Sequence, residues 1–124
     1  MTNDLIGKPF RSKGRGLDNY DCWGLAIEVL RREGINIPEF DIDAYAYSVV
    51  SAKMQEQILD PRWKKLKNPE KNCIIAIKEH PKFVQHVGVY LGYGKFIHAG
   101  ANGVEVRRLN DFKKQIRGFY KYVE

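Results

Sequence analysis

Three side chains in this 124-residue sequence have the chemistry for nucleophilic catalysis: Cys22, His86 and His98. A thiol attacks as its thiolate, and a neighbouring imidazole can take the proton. Cys22 falls at the first turn of the strongest helical pattern in the chain. There Trp23, Ala26, Ile27 and Leu30 recur on one face, while Glu28, Arg31, Arg32 and Glu33 fill the other. Asp21 is placed to cap the start, Gly34 to end the helix, and Glu28 to pair with Arg32 one turn on. The free N–H groups at a helix start favour a thiolate and can hold the oxyanion of a tetrahedral intermediate. Asp21 acts in the opposite electrostatic sense, so activation is expected from the helix end and a histidine. The plain alternative is a buried helix cysteine acting as a small hydrophobe.

The two histidines flank an expected hairpin with Gly92-Tyr93-Gly94 at its tip. A three-residue loop with Gly94 in the left-handed position sets Leu91 opposite Lys95 and Gly88 opposite His98. His86, Gly88 and His98 then share one face, and Val87, Val89, Leu91 and Ile97 share the other. A two-residue Tyr93-Gly94 turn would instead set Val89 opposite His98 and send the histidines to opposite faces. The three-residue loop keeps Ile97 with the other aliphatic residues and is preferred. On the shared face His86 is the candidate base, and His98 the group that orients its ring. Gly88, without a side chain, leaves room for the cysteine-bearing helix.

The elements that must position these groups follow from the remaining pattern. An irregular arm rich in Gly, Lys and Arg runs from Met1 to about Asn19. A weaker helical pattern covers Asp43 to about Leu59, with Tyr45, Val49 and Ala52 as its apolar positions, and Asp60-Pro61 stops it. Trp63 and a lysine-rich loop follow. Cys73–Ile77 reads as a buried strand, His86–Leu91 as a two-faced strand and Phe96–Ala99 as its partner, with further strands at Val104–Arg108 and Arg117–Val123. Helix first and antiparallel strands after: the expected class is α+β, one domain over 1–124, with the cysteine-bearing helix packed on an antiparallel sheet.

Composition is that of a globular domain, with 44% hydrophobic and 29% charged residues. Net charge is +6, which draws anionic partners, cell-wall polymers among them. The basic residues are scattered, and no aromatic-basic motif for stacking bases is present, so a nucleic-acid partner is not expected. No stretch approaches the roughly 18 apolar residues of a membrane span, and the N-terminus has no basic leader and apolar run of a secretory signal. Synthesis in the cytoplasm is therefore expected. Cys73 reads as a buried, inert thiol and His80 as an exposed turn residue. Cys22, Cys73, His80, His86 and His98 lack zinc-site spacing, so neither a metal nor an organic cofactor is implied.

Asp21-Cys22-Trp23-Gly24-Leu25, then His86-Val87-Gly88-Val89-Tyr90-Leu91-Gly92 and Phe96-Ile97-His98-Ala99, together resemble the NlpC-type cell-wall cysteine peptidases. The resemblance runs from Gly7-Lys8-Pro9-Phe10 to Gly118-Phe119-Tyr120. It implies a papain-like α+β core, with Cys22 as nucleophile, His86 as base and His98 as third polar residue. It also implies Tyr20, Asp21, Trp23 and Gly88 as substrate-side residues, Tyr20 substituting for the family tyrosine where this chain has Phe10. The implied substrates are peptidoglycan stem peptides, cut between D-γ-glutamyl and a diamino acid. Trp23 after the cysteine and the long insert before the strands resemble the phage-tail-associated branch, which implies tail proteins as partners and a virion tail as location. Two further readings stay open: a thiol acyltransferase of the same fold, and a tail-tip structural protein without turnover.

Overall fold

The computed structural model describes residues 2–124; Met1, the first residue of the expected arm, lies outside them. Helix α1 spans Cys22–Arg32. Its start is fixed by Asp21, whose carboxylate accepts a hydrogen bond from the Gly24 N–H at 2.7 Å. Its end is a paired closure in which Ile35 N–H reaches Leu30 O and Gly34 N–H reaches Arg31 O, with Gly34 at φ +78°. Glu28 pairs with Arg32 as its spacing predicts, and also with Arg31.

Helix α2 spans Tyr47–Gln57, shorter at both ends than the sequence pattern. Its inward side carries Val50, Ser51 and Met54, whereas the expected apolar positions Tyr45, Val49 and Ala52 are all exposed. The reason is register: Met54 packs on the main core, and Val50, one turn earlier, falls on the same stripe. Six strands follow: β1 Trp63–Leu66, β2 Ile74–Ile77, β3 His86–Gly92, β4 Lys95–Gly100, β5 Gly103–Arg108 and β6 Ile116–Tyr122. A short 3₁₀ turn, Leu109–Phe112, joins the last two. The strands form one antiparallel sheet in the order β1-β6-β2-β3-β4-β5. β1 lies within the stretch that reads as a lysine-rich loop, since Lys64 and Lys65 face solvent while Trp63 is buried beneath Tyr122.

Two apolar layers use the two faces of this sheet. The larger joins α1 residues Leu25, Ala26, Val29 and Leu30 to Val87, Val89, Ile97 and Ala99. The smaller joins Ile75, Ile77 and Phe96 to Tyr90, Phe112 and Phe119. The β3–β4 hairpin combines the two loop geometries that the sequence permits. Tyr93 and Gly94 form a two-residue turn with positive φ at both positions, while a bulge between Tyr90 and Gly92 moves the body of the hairpin by one residue. Val89 therefore faces Ile97 and Tyr90 faces Phe96, the register that puts the two histidines on one face. Among the described residues, no helix is long and apolar enough to cross a membrane.

Candidate active site

Cys22 opens α1 and is partly covered. Burial pushes its thiol up to about 12, with the Asp21 carboxylate adding to the rise. The backbone amides of Val87 and Trp23 hydrogen-bond to the thiol and oppose that rise, and the charge of Glu79 reinforces it. The helix end is thus present as the sequence implies, but desolvation outweighs it, and the resting group is a thiol. Val87, whose amide meets the thiol, is the chain neighbour of His86.

His86 and His98 are both buried, and His86 Nε2 lies 2.7 Å from His98 Nδ1. His98 Nε2 in turn lies 3.0 Å from Glu105 Oε2, which Arg107 also contacts at 3.2 Å. Burial, then the neighbouring His98, pushes His86 down to about 3. His98 is lowered as well, by burial, with Glu105 offsetting part of the effect. Both rings are therefore neutral near pH 7. Among the described residues no hydrogen bond joins the Cys22 thiol to either histidine. The other nitrogen of His86, Nδ1, faces Glu79 Oε1 at 3.5 Å. Burial and the charge of Glu105 raise the Glu79 carboxyl.

The four expected substrate-side residues are placed differently from one another. Asp21 is buried and accepts from Gly24 N–H, Lys13 N–H and Arg15 Nη1. Trp23 donates from Nε1 to Pro38 O at 2.8 Å and stacks on Phe40. Tyr20 is only 1% exposed and packs in the main core, with Glu28 and Arg32 as charged neighbours. Gly88 does not make room for α1, which packs on the opposite face through Val87 and Val89. A Cβ at Gly88 would meet the Phe96 ring at 2.7 Å.

Glu79 and Glu105 are absent from the sequence reading. Glu79 sits in an irregular loop with no period to read. Glu105 was accessible through register, because a two-residue Ala101-Asn102 turn sets it directly across from His98, as observed. Glu79, His86 and His98 also offer ligand atoms within 4.8 Å of one another, the type of set a divalent metal uses. Cys73 is buried beside β2, whereas His80 is not the exposed turn residue expected: it is half-buried, with its ring tilted against those of Tyr47 and Phe83.

A cysteine at a helix start, beside a strand carrying a paired histidine, is the arrangement that the sequence blocks imply. The NlpC/P60 family model matches residues 7–119. The chain belongs to the NlpC/P60 family. Among its relatives is a probable endopeptidase p60 of Listeria grayi, 26% identical over 116 residues, covering 92% of this chain and 20% of the relative. Another is a probable peptidoglycan endopeptidase LytE of Bacillus subtilis, 24% identical over 107 residues, covering 86% of this chain and 28% of that protein. The chain thus spans less than a third of either relative. The structure of NlpC2 from Trichomonas vaginalis superposes with a TM-score of 0.72 at 22% identity, covering 95% of this chain and 43% of that one. In this NlpC/P60 domain the papain-like arrangement of two helices on a six-stranded antiparallel sheet agrees with the fold expected from the sequence.

Proposed function

We propose that this NlpC/P60 domain hydrolyses amide bonds in peptidoglycan stem peptides, with Cys22 as nucleophile, His86 as base and His98 as the residue that orients it. The observation that carries the reading is the hydrogen-bonded chain from His86 through His98 to Glu105, which starts beside the amide that contacts the Cys22 thiol. Family membership and the kinship to p60, a probable endopeptidase, and LytE, a probable peptidoglycan endopeptidase, support the substrate class.

His86 takes the Cys22 proton as the thiol attacks the amide carbonyl, forming the C–S bond. The Cys22 backbone N–H holds part of the oxyanion. His86 then returns the proton to the leaving amine as the C–N bond breaks. Water, deprotonated by His86, clears the thioester and restores the thiol. A resting thiol and neutral imidazole fit general-base transfer on substrate arrival better than a preformed ion pair.

The bond assigned, between D-γ-glutamyl and a diamino acid, follows from the family resemblance, and delivery is assigned to a phage tail on the resemblance of the Tyr20–Gly24 run and the insert before the strands. Purified protein and Cys22→Ala are incubated with defined muropeptides under reducing conditions, and products are read by mass spectrometry. A stem-peptide fragment produced only by the wild type is the expected result. No cleavage across several wall chemistries would overturn the assignment.

A further inference from the structure

An apolar cavity of about 270 Å³ opens beside Cys22, between the start of α1, helix α2 and the sheet. Cys22 and Trp23 form one wall, Val50 and Met54 of α2 another, and Ile74 and Val87 part of the floor. The volume is near the lower end for ligand pockets, roughly 300 Å³. It suits one chain or ring, not a folded-back peptide. Arg15, Lys53 and Arg117 stand among the lining residues, while Asp21, the one acidic group there, is committed to capping α1 and to Arg15. Among the described lining residues no carboxylate is left to pair with an ammonium group, so the cavity favours an apolar group over the charged side chain of a diamino acid.

The side of the nucleophile on which it lies sets which part of a substrate enters. Val87 lines the cavity, and successive residues of a strand point to opposite faces, so His86 projects away from it. A leaving group protonated by His86 departs on the histidine side, and the acyl portion lies against the cavity.

We propose that this cavity is an acyl-chain site, and that Cys22 accepts medium-length aliphatic acyl groups from esters in addition to the peptide substrates assigned above. The inference rests on Cys22 being the nucleophile. The thiol adds to the ester carbonyl and its proton passes through His86 to the departing alkoxide or phenoxide as the C–O bond breaks. Water then cleaves the thioester, giving the free carboxylic acid and the regenerated thiol.

The test compares 4-nitrophenyl acetate, butyrate and octanoate, each below its micelle concentration, on the full chain, Cys22→Ala and Val50→Trp. Each buried methylene is worth roughly fourfold in binding. Allowing for incomplete burial, kcat/KM is expected to rise at least roughly tenfold from acetate to octanoate. Acid-quenched protein should carry an octanoyl group mapped to Cys22. Val50→Trp, with a melting curve to show that it folds, should collapse the octanoate-to-acetate ratio toward one by filling the cavity. A flat or falling chain-length series with Cys22-dependent turnover would overturn the acyl site and leave the nucleophile intact. So would Cys22-dependent muropeptide cleavage with no ester turnover, a result that leaves the peptidase reading standing. A ratio unmoved by Val50→Trp would place the chain outside this cavity and also overturn the inference. Absence of every Cys22-dependent product would overturn both readings.

Discussion

His98 stands directly across from Glu105 in the β4–β5 ladder, with its Nε2 3.0 Å from the Glu105 carboxylate. An ionised carboxylate only accepts, so His98 carries its proton on Nε2 and presents Nδ1 as an acceptor. His86 must then donate from Nε2 across the 2.7 Å contact, which leaves its Nδ1 lone pair free to take a proton. Burial acts to raise the Glu105 carboxyl, but hydrogen bonds from His98 and Arg107 outweigh it and hold the group below its ordinary value. A carboxylate on the adjacent strand thus sets the tautomers of both rings.

Replacing Glu105 by Gln should lower kcat on a cleaved muropeptide by roughly tenfold, because an amide can donate as well as accept and no longer selects the tautomer. KM should change little, since Glu105 acts through His98. Glu105→Asp should recover part of the loss. Steady-state kinetics over pH 5–9 would decide it, and a pure KM effect would contradict the positioning role.

Acid should destabilise the fold earlier than carboxylate protonation alone predicts. His86 is held neutral down to about 3, whereas an unfolded histidine titrates near 6.5. Between those values the unfolded chain binds more protons than the native one, so stability rises with pH and falls as pH drops. Each such proton contributes about 1.4 kcal/mol per pH unit. His98, also lowered, acts in the same direction. Urea denaturation at pH 7.5, 6.5 and 5.5 should show midpoints falling below about pH 6.5, with a shallower fall in His86→Gln. Equal slopes in the two proteins would contradict the burial of a neutral imidazole.

Much of this architecture is legible in the chain because it rests on local rules. Asp21, the apolar stripe through Leu30 and Gly34 delimit α1 by capping and periodicity, and the helix forms over Cys22–Arg32. The hairpin was legible to the extent that core pairing fixes register: keeping Ile97 with Val89 selected the correct face for both histidines. The bulge that reconciles this register with a two-residue turn leaves no trace in the residue pattern. β1 escaped because an edge strand facing solvent with Lys64 and Lys65 has the composition of a loop. The protonation state of Cys22 escaped for another reason. A helix start is visible in sequence, whereas desolvation depends on what the distant segments around Val87 and Glu79 place over the thiol.

The Asp21 carboxylate ties the N-terminal arm to the start of α1, accepting from Gly24 N–H at 2.7 Å, Lys13 N–H at 2.9 Å and Arg15 Nη1 at 2.8 Å. Arg15 extends the tie to Glu39 and to the Phe40 carbonyl. Asp21→Ala should cost about 2 kcal/mol or more, combining loss of a cap with the Arg15 guanidinium and the Lys13 backbone N–H left without this acceptor. The measurement is the urea midpoint at pH 7.5. A loss within about 0.5 kcal/mol would mean that water replaces the carboxylate freely, as at an ordinary surface position.

Alkylation kinetics test the resting state of the nucleophile. With burial and Asp21 pushing the Cys22 thiol up to about 12, very little thiolate exists at pH 7. Iodoacetamide should therefore label native Cys22 slowly at pH 7, with a rate still climbing at pH 9 and no plateau between. Cys73 does not confuse the measurement, since it is fully buried and its own thiol is raised by burial. Asp21→Asn removes the negative charge nearest the thiol while keeping an oxygen for the α1 cap. Less cost then attaches to forming a second negative charge beside it, so labelling at pH 8.5 should speed up several-fold. A wild-type rate already fast and pH-independent at pH 7 would mean that the helix end and a histidine cation outweigh burial, and that Cys22 rests as the thiolate of an ion pair.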